Sequence, residues 1–112
     1  MRLVTAVVRP EKVHAVCEAI QAFGFRGLTV TDSVGFGKQR GHTEVYRGAE
    51  YVPEFQPAAI VEIVLVDEDV RDVIELICKV AATGHLGDGK IWVTDVREVI
   101  RIRTREADGD AL

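Results

Sequence analysis

The nine residues AAIVEIVLV, Ala58 to Val66, restrict the fold more than any other stretch of the chain. The run is interrupted only by Glu62. It is too short for a surface helix and lacks polar alternation, which makes it a strand buried on both faces. Such a strand needs cover on two sides, and 112 residues supply one modest domain's worth of it.

The rest of the chain supplies partners in order. Leu3 to Val8 is a β-branched apolar run closed by Pro10, a strand. From Glu11 the period changes: Val13, Val16, Cys17, Ile20 and Phe23 fall at helical spacing, and Gly24 stops the helix. GLTVTDSVG sets Leu28 and Val30 against Thr29 and Thr31, a half-buried strand. A polar stretch from about Gly35 to Pro57 leads to the apolar strand. Asp67 or Asp69 caps a second helix with the stripe Val70, Val73, Ile74, Ile77 and Ala81. KIWVTDV and EVIRIRT complete the strands, and READGDAL reads as a loose tail. The order βαβ, loop, βαβ predicts one ferredoxin-like α+β sandwich over residues 1–112, with both helices on one face of an antiparallel sheet. The other face must then be covered by something, and the simplest candidate is another copy of the chain, which predicts a homo-oligomer.

Composition excludes several function classes. A net charge of −4 argues against direct nucleic-acid binding, which needs a broad basic surface. No apolar run crosses a bilayer and MRLVTAVVRP lacks a signal-peptide layout, so the expected location is the cytoplasm. Cys17 and Cys78 read as small buried hydrophobes, and no Cys/His cluster has metal-ligand spacing.

TGHLGDGKIWV, Thr83 to Val93, carries the chemistry. Gly84-x-x-x-x-Gly89-Lys90 fits a Walker pattern except at Ile91, which lacks the hydroxyl that holds Mg²⁺. The context is also reversed, since a helix leads in and a strand leads out. A P-loop hydrolase is therefore excluded, but the physics of the motif survives. Gly87 and Gly89 let backbone N–H groups approach an anion, and Lys90 adds a charge. Arg101 and Arg103 alternate along the expected last strand and so share a face. Their guanidinium groups suit phosphate oxygens. The bland alternative, a glycine turn beside a solvated strand edge, stays open on spacing alone.

Together, GFGKQRGHTEVYRGAEYVPEF, TGHLGDGKIWV and VIRIRT resemble the PII signal-transduction proteins of nitrogen metabolism, and the resemblance runs the length of the chain. It implies a homotrimer of ferredoxin-like protomers that binds ATP or ADP in the clefts between neighbours. The T-loop would span about residues 37–55, the B-loop about 83–90 and the C-loop about 102–110. By the same resemblance the phosphate ligands are Gly37, Lys38, Gln39, Gly87, Asp88, Gly89, Lys90, Arg101 and Arg103, and Thr29, Glu62 and Val64 lie near adenine and ribose. Mg²⁺ with ATP would meet Gln39, and 2-oxoglutarate would bind cooperatively. Tyr51 matches a tyrosine that many bacterial members have nucleotidylated. Implied partners are an ammonium transporter, a nucleotidyltransferase and nitrogen-assimilation enzymes.

Three positions depart from the family pattern. Ala58 stands where a lysine usually contacts the 2-oxoglutarate carboxylate, and Arg9 is the cation that could compensate. His85 replaces a common lysine. Lys38 replaces a common arginine, keeping charge without the bidentate fork. The expected activity is therefore sensing rather than catalysis. Two alternatives stay beside it: a PII-like sensor of a different metabolite, on account of Ala58, and a slow ATPase. The ATPase lacks a well-placed base, since none of His14, His42 and His85 has an evident carboxylate to orient it.

Overall fold

A computed structural model describes residues 1–36, 44–46, 49–51 and 55–112, the two short middle stretches by their backbone alone. Strand β1 (Arg2–Val8) leads through a 3-10 turn at Pro10–Lys12 into helix α1 (Val13–Phe23). Strand β2 (Thr29–Phe36) follows. A small ladder, β3 (Glu44–Tyr46) on β4 (Ala49–Tyr51), precedes the long strand β5 (Phe55–Leu65). Helix α2 (Val70–Ala81) and strand β6 (Lys90–Asp95) complete the repeat. The main sheet is antiparallel in the order β2-β5-β1-β6. This is the ferredoxin-like arrangement that the periodicity predicts.

Helix α1 ends at Gly24 in the left-handed region, φ 113°. The Gly24 N–H donates to Gln21 O at 3.0 Å and the Phe25 N–H to Ile20 O at 3.3 Å, a glycine C-cap that any β-carbon would strain. The core lies between the helices and one face of the sheet. Val4, Ala6 and Val8 of β1 and Ala59, Val61, Ile63 and Leu65 of β5 meet Val16, Ile20, Val73 and Ile77 of the helices.

The opposite face explains Ala58 to Val66. Period-2 geometry sends Ile60, Glu62 and Val64 there, beside Leu3, Thr5 and Val7. These residues are half-buried within the single chain, apart from Thr5, which is buried. The strand is thus buried on one face and partly open on the other, where the sequence predicts burial on both. Trp92, opposite Thr5 on β6, is 44% exposed on this face.

Several expectations need correction. EVIRIRT is not a strand: beyond β6 the chain makes one isolated bridge, Ile100 to Ala107, and turns through residues 102–104. Arg101 and Arg103 therefore do not alternate along a strand. The READGDAL tail is not loose but closes in a 3-10 turn at Asp108–Ala111. Neither Asp67 nor Asp69 caps α2 through its side chain; Asp67 instead pairs with the Met1 amino group at 3.1 Å and Arg2 Nε at 3.6 Å. Cys17 is half-buried and Cys78 exposed. Strand β2 is an edge strand and mostly exposed rather than half-buried; only Leu28, just before it, packs on the core. The two strands flanking the polar stretch run further than expected, to Phe36 and from Phe55.

Candidate functional site

Two clusters of the sequence-predicted residues form, at opposite ends of β1. The first is an open groove of about 790 Å³ at the Leu3 end, and Thr29, Glu62 and Val64 all line it. Register brings them together. Glu62 sits between Thr29 on β2 and Thr5 on β1, and Val64 points to the same side. Glu62 is half-buried here, which places a carboxylate acceptor in a largely apolar wall, a suitable arrangement for a polar edge of a flat ligand. Residues Gly24 to Leu28 line it, as do Gly109, Ala111 and Leu112 from the C-terminal segment.

The second cluster is the turn between α2 and β6. Gly84, Gly87 and Gly89 have φ of 84°, 97° and 99°, all in the left-handed region. Glycines in this conformation let main-chain N–H groups face outward where a side chain would otherwise crowd them. The Asp88 carboxylate holds the turn closed. It accepts from the Thr83 N–H at 2.7 Å, the Gly84 N–H at 3.0 Å and the Thr83 hydroxyl. The His85 N–H donates to Thr83 Oγ1 at 3.2 Å. Arg9, from the far end of β1, donates through Nε to Asp88 Oδ1 at 2.9 Å and through its terminal nitrogen to Leu86 O at 2.7 Å. The Thr83 side chain first, then the Thr83 N–H and Arg9, hold the Asp88 carboxyl far below the usual carboxylate range. Both Asp88 oxygens are engaged inside the loop, which leaves the residue's main-chain N–H as its contact for an anion.

Lys90 follows at the first position of β6, paired with Val7 and exposed. Leu3 and Val7 are roughly 13 Å apart along the strand, so the glycine turn and the groove do not merge within one protomer. None of Gly87, Asp88, Gly89, Lys90, Arg101 and Arg103 lines the groove.

Arg101 and Arg103 lie in a closed lariat after β6. The Asp108 N–H donates to Val99 O at 2.7 Å and the Val99 N–H to Asp108 Oδ1 at 3.3 Å, tying its neck. Arg105 and Asp108 accept φ of 60° and 54° to make it. Within it Arg101 faces Glu106 at 3.6 Å and donates to the main-chain oxygen of Leu112 at 3.1 Å, while Arg103 is exposed. Gly37, Lys38 and Gln39 lie outside the described residues, as does the Tyr51 side chain. Among the described residues no group of three His, Cys, Asp or Glu side chains could hold a metal ion, and no helix is long and apolar enough to cross a membrane.

Sequence reasoning missed the Arg9–Asp88–Thr83 tether and the C-terminal wall of the groove. Asp88 five residues after Thr83 is a local signal for a side-chain-closed turn. Arg9 is 79 positions away in sequence from Asp88, and no local pattern reports that contact.

The glycine turn with Lys90 and the groove lined by Thr29, Glu62 and Val64 are the two candidate sites. The comparisons with known proteins agree with a shared architecture. Residues 1–106 match the family model described as nitrogen regulatory protein P-II. The chain is 54% identical over its full 112 residues to the nitrogen regulatory protein P-II of Rhizobium meliloti (strain 1021), covering all of that protein too. It is 51% identical to the P-II protein of Azospirillum brasilense and 48% identical to the nitrogen regulatory protein GlnK of Escherichia coli (strain K12), again with full coverage of both chains. A β1-anchored glycine turn, a groove lined by Thr29, Glu62 and Val64, and these full-length matches place the chain in the P-II family of nitrogen regulatory proteins.

Proposed function

We propose that this protein is a nucleotide-responsive regulator that assembles as a homotrimer and binds ATP or ADP between protomers. In this reading the groove of one protomer receives the base and ribose, and the glycine turn of its neighbour, with Lys90, receives the phosphates. One observation supports the reading: Thr29, Glu62 and Val64 line a groove toward one end of β1, while the glycine turn and Lys90 lie at the other, too far apart to hold one ligand within a protomer. The half-open apolar face of the sheet is the surface that another copy covers. Arg101 and Arg103 add charge from the lariat, and Lys38 and Gln39 at the start of the T-loop sense the γ-phosphate and its Mg²⁺. Occupancy there biases the T-loop by the ligand's difference in affinity for its two states. The loop then governs contact with an ammonium transporter, a nucleotidyltransferase or nitrogen-assimilation enzymes, and Tyr51 is its point of covalent control.

Mixed assemblies test the reading. Lys90→Ala removes the cation of one half-site, and Glu62→Ala removes the acceptor of the other. Each variant alone should bind ATP at least tenfold more weakly by calorimetry, about 1.4 kcal/mol. Co-assembled, they should regain a fraction of full-affinity clefts, each pairing an intact groove with an intact turn. If no mixture recovers such sites, the nucleotide does not bridge protomers and the reading falls.

A further inference from the structure

We infer that Arg9 is the positioning residue of the glycine turn, holding its donors in place and cancelling the one negative charge within it. The inference rests on the proposed phosphate site, whose N–H groups and Lys90 would touch the ligand; Arg9 acts through Asp88 and Leu86. The turn has a contradiction built into it. Three glycines in the left-handed region give the turn the shape proposed to receive phosphate, yet they leave the backbone with many alternatives in the absence of constraint. Asp88 supplies the constraint by closing Thr83 and Gly84 onto its carboxylate, but in doing so it sets a full negative charge beside the N–H groups meant for phosphate. A like charge in an anion site opposes binding.

Arg9 resolves both difficulties with one planar group. Its Nε meets Asp88 Oδ1 at 2.9 Å and compensates the charge, with both side chains largely shielded from water (19% and 24% exposed). Its terminal nitrogen donates to the Leu86 carbonyl at 2.7 Å, pinning the loop tip. The anchor is rigid, because Arg9 directly follows β1 and precedes Pro10. The Gly89 side of the turn also packs on Val7, so β1 grips both ends of the same loop.

Three variants of the full-length protein test this. Arg9→Met should weaken ATP binding by tenfold or more, while Arg9→Lys, which keeps a cation within reach of Asp88, should stay within threefold of the parent. Adding Asp88→Asn to Arg9→Met should recover part of the loss, since the uncompensated charge is gone; a purely structural role for Arg9 predicts no recovery. Amide nitrogen–proton spectra without nucleotide provide a readout independent of binding. In Arg9→Met the Gly84, Gly87 and Gly89 signals should move while those of β5 and α1 stay, which also confirms folding. Unmoved glycine amides, ATP affinity within twofold of the parent for Arg9→Met, or equal weakening by Met and Lys would each overturn the inference. Should the parent protein bind no nucleotide, the phosphate reading fails, and the amide comparison still decides whether Arg9 holds the turn.

Discussion

Gly89 lies against the main chain of Val7: a β-carbon at position 89 would collide with the Val7 carbonyl oxygen and stand 2.8 Å from its carbonyl carbon. Both atoms are backbone in the middle of the sheet, so neither can swing aside. Gly89 also holds φ at 99°. Gly89→Ala should therefore cost about 1–3 kcal/mol from backbone strain alone, and more from the displaced start of β6. Urea denaturation followed by circular dichroism measures the loss. A variant as stable as the parent would mean that the turn does not press on β1.

The core predicts an ordinary cavity penalty in a defined place. Ile77 is 1% exposed and faces the sheet from α2. Ile77→Ala should destabilise by about 2–5 kcal/mol, because transfer energy is lost and a void remains between helix and sheet. The same substitution at Ile74, only partly buried, should cost less. Reversal of that order in urea melts would contradict the placement of the stripe.

Acid should reach the glycine turn late. The Thr83 and Arg9 contacts depress the folded-state pKa of Asp88 below its unfolded value. A depressed carboxyl contributes stability above the unfolded pKa and loses it as pH falls through the folded one. The contribution is thus complete at neutral pH, declines as pH falls through the ordinary carboxylate range near pH 4, and is gone only below the folded-state pKa. The carboxyl carbon shift of Asp88, followed by NMR, should stay that of the ion as pH falls through the ordinary carboxylate range. Titration within that range would show that the tether does not hold in solution.

The half-open face should respond to charge. Ile60 is half-buried there, beside Val7 and Thr31. Ile60→Glu should leave the protomer folded but shift the assembly toward monomer in size-exclusion chromatography with light scattering. Trp92, the one tryptophan, should then emit at longer wavelength as its 44% exposure becomes real in solution. An unchanged particle mass would remove this face from the proposed assembly.

The 2-oxoglutarate site that the family resemblance implies would turn on Ala58 and Arg9. Arg9 is committed to Asp88 and Leu86, and Ala58, paired with Ser33, offers no charge of its own. Ala58→Lys should therefore strengthen 2-oxoglutarate binding in the presence of Mg-ATP by tenfold or more, read by calorimetry. Equal binding by parent and variant would show that Ala58 is not the missing contact.

The periodic elements were legible in the sequence because burial on one side leaves a period. Val16 and Ile20, or Val73 and Ile77, report helices directly, and AAIVEIVLV reports a central strand. The glycine turn was legible as a turn, since Gly84, Gly87 and Gly89 all take left-handed φ, and its helix-in, strand-out context set it apart from a P-loop. EVIRIRT was misread because alternation alone looks like a strand; Asp108 competes for the Val99 backbone and closes a lariat instead. Asp67 and Asp69 looked like caps, but the Met1 amino group, distant in sequence, claims Asp67. Contacts across the whole chain, Arg9 to Asp88 above all, leave no local trace.

Glu62 has a consequence for how the chain finds its fold. On β5, Val61 faces the helices and Glu62 faces away from them. Sliding β5 by one position against β1 would exchange the two, since strand neighbours point to opposite sides. The misaligned sheet would then drive an ionised carboxylate in among Val16, Ile20 and Val73, at several kcal/mol with no counterion to meet it. A strand of nothing but aliphatic residues would slip at little penalty. The lone acid of β5 thus opposes a one-residue slip of the sheet.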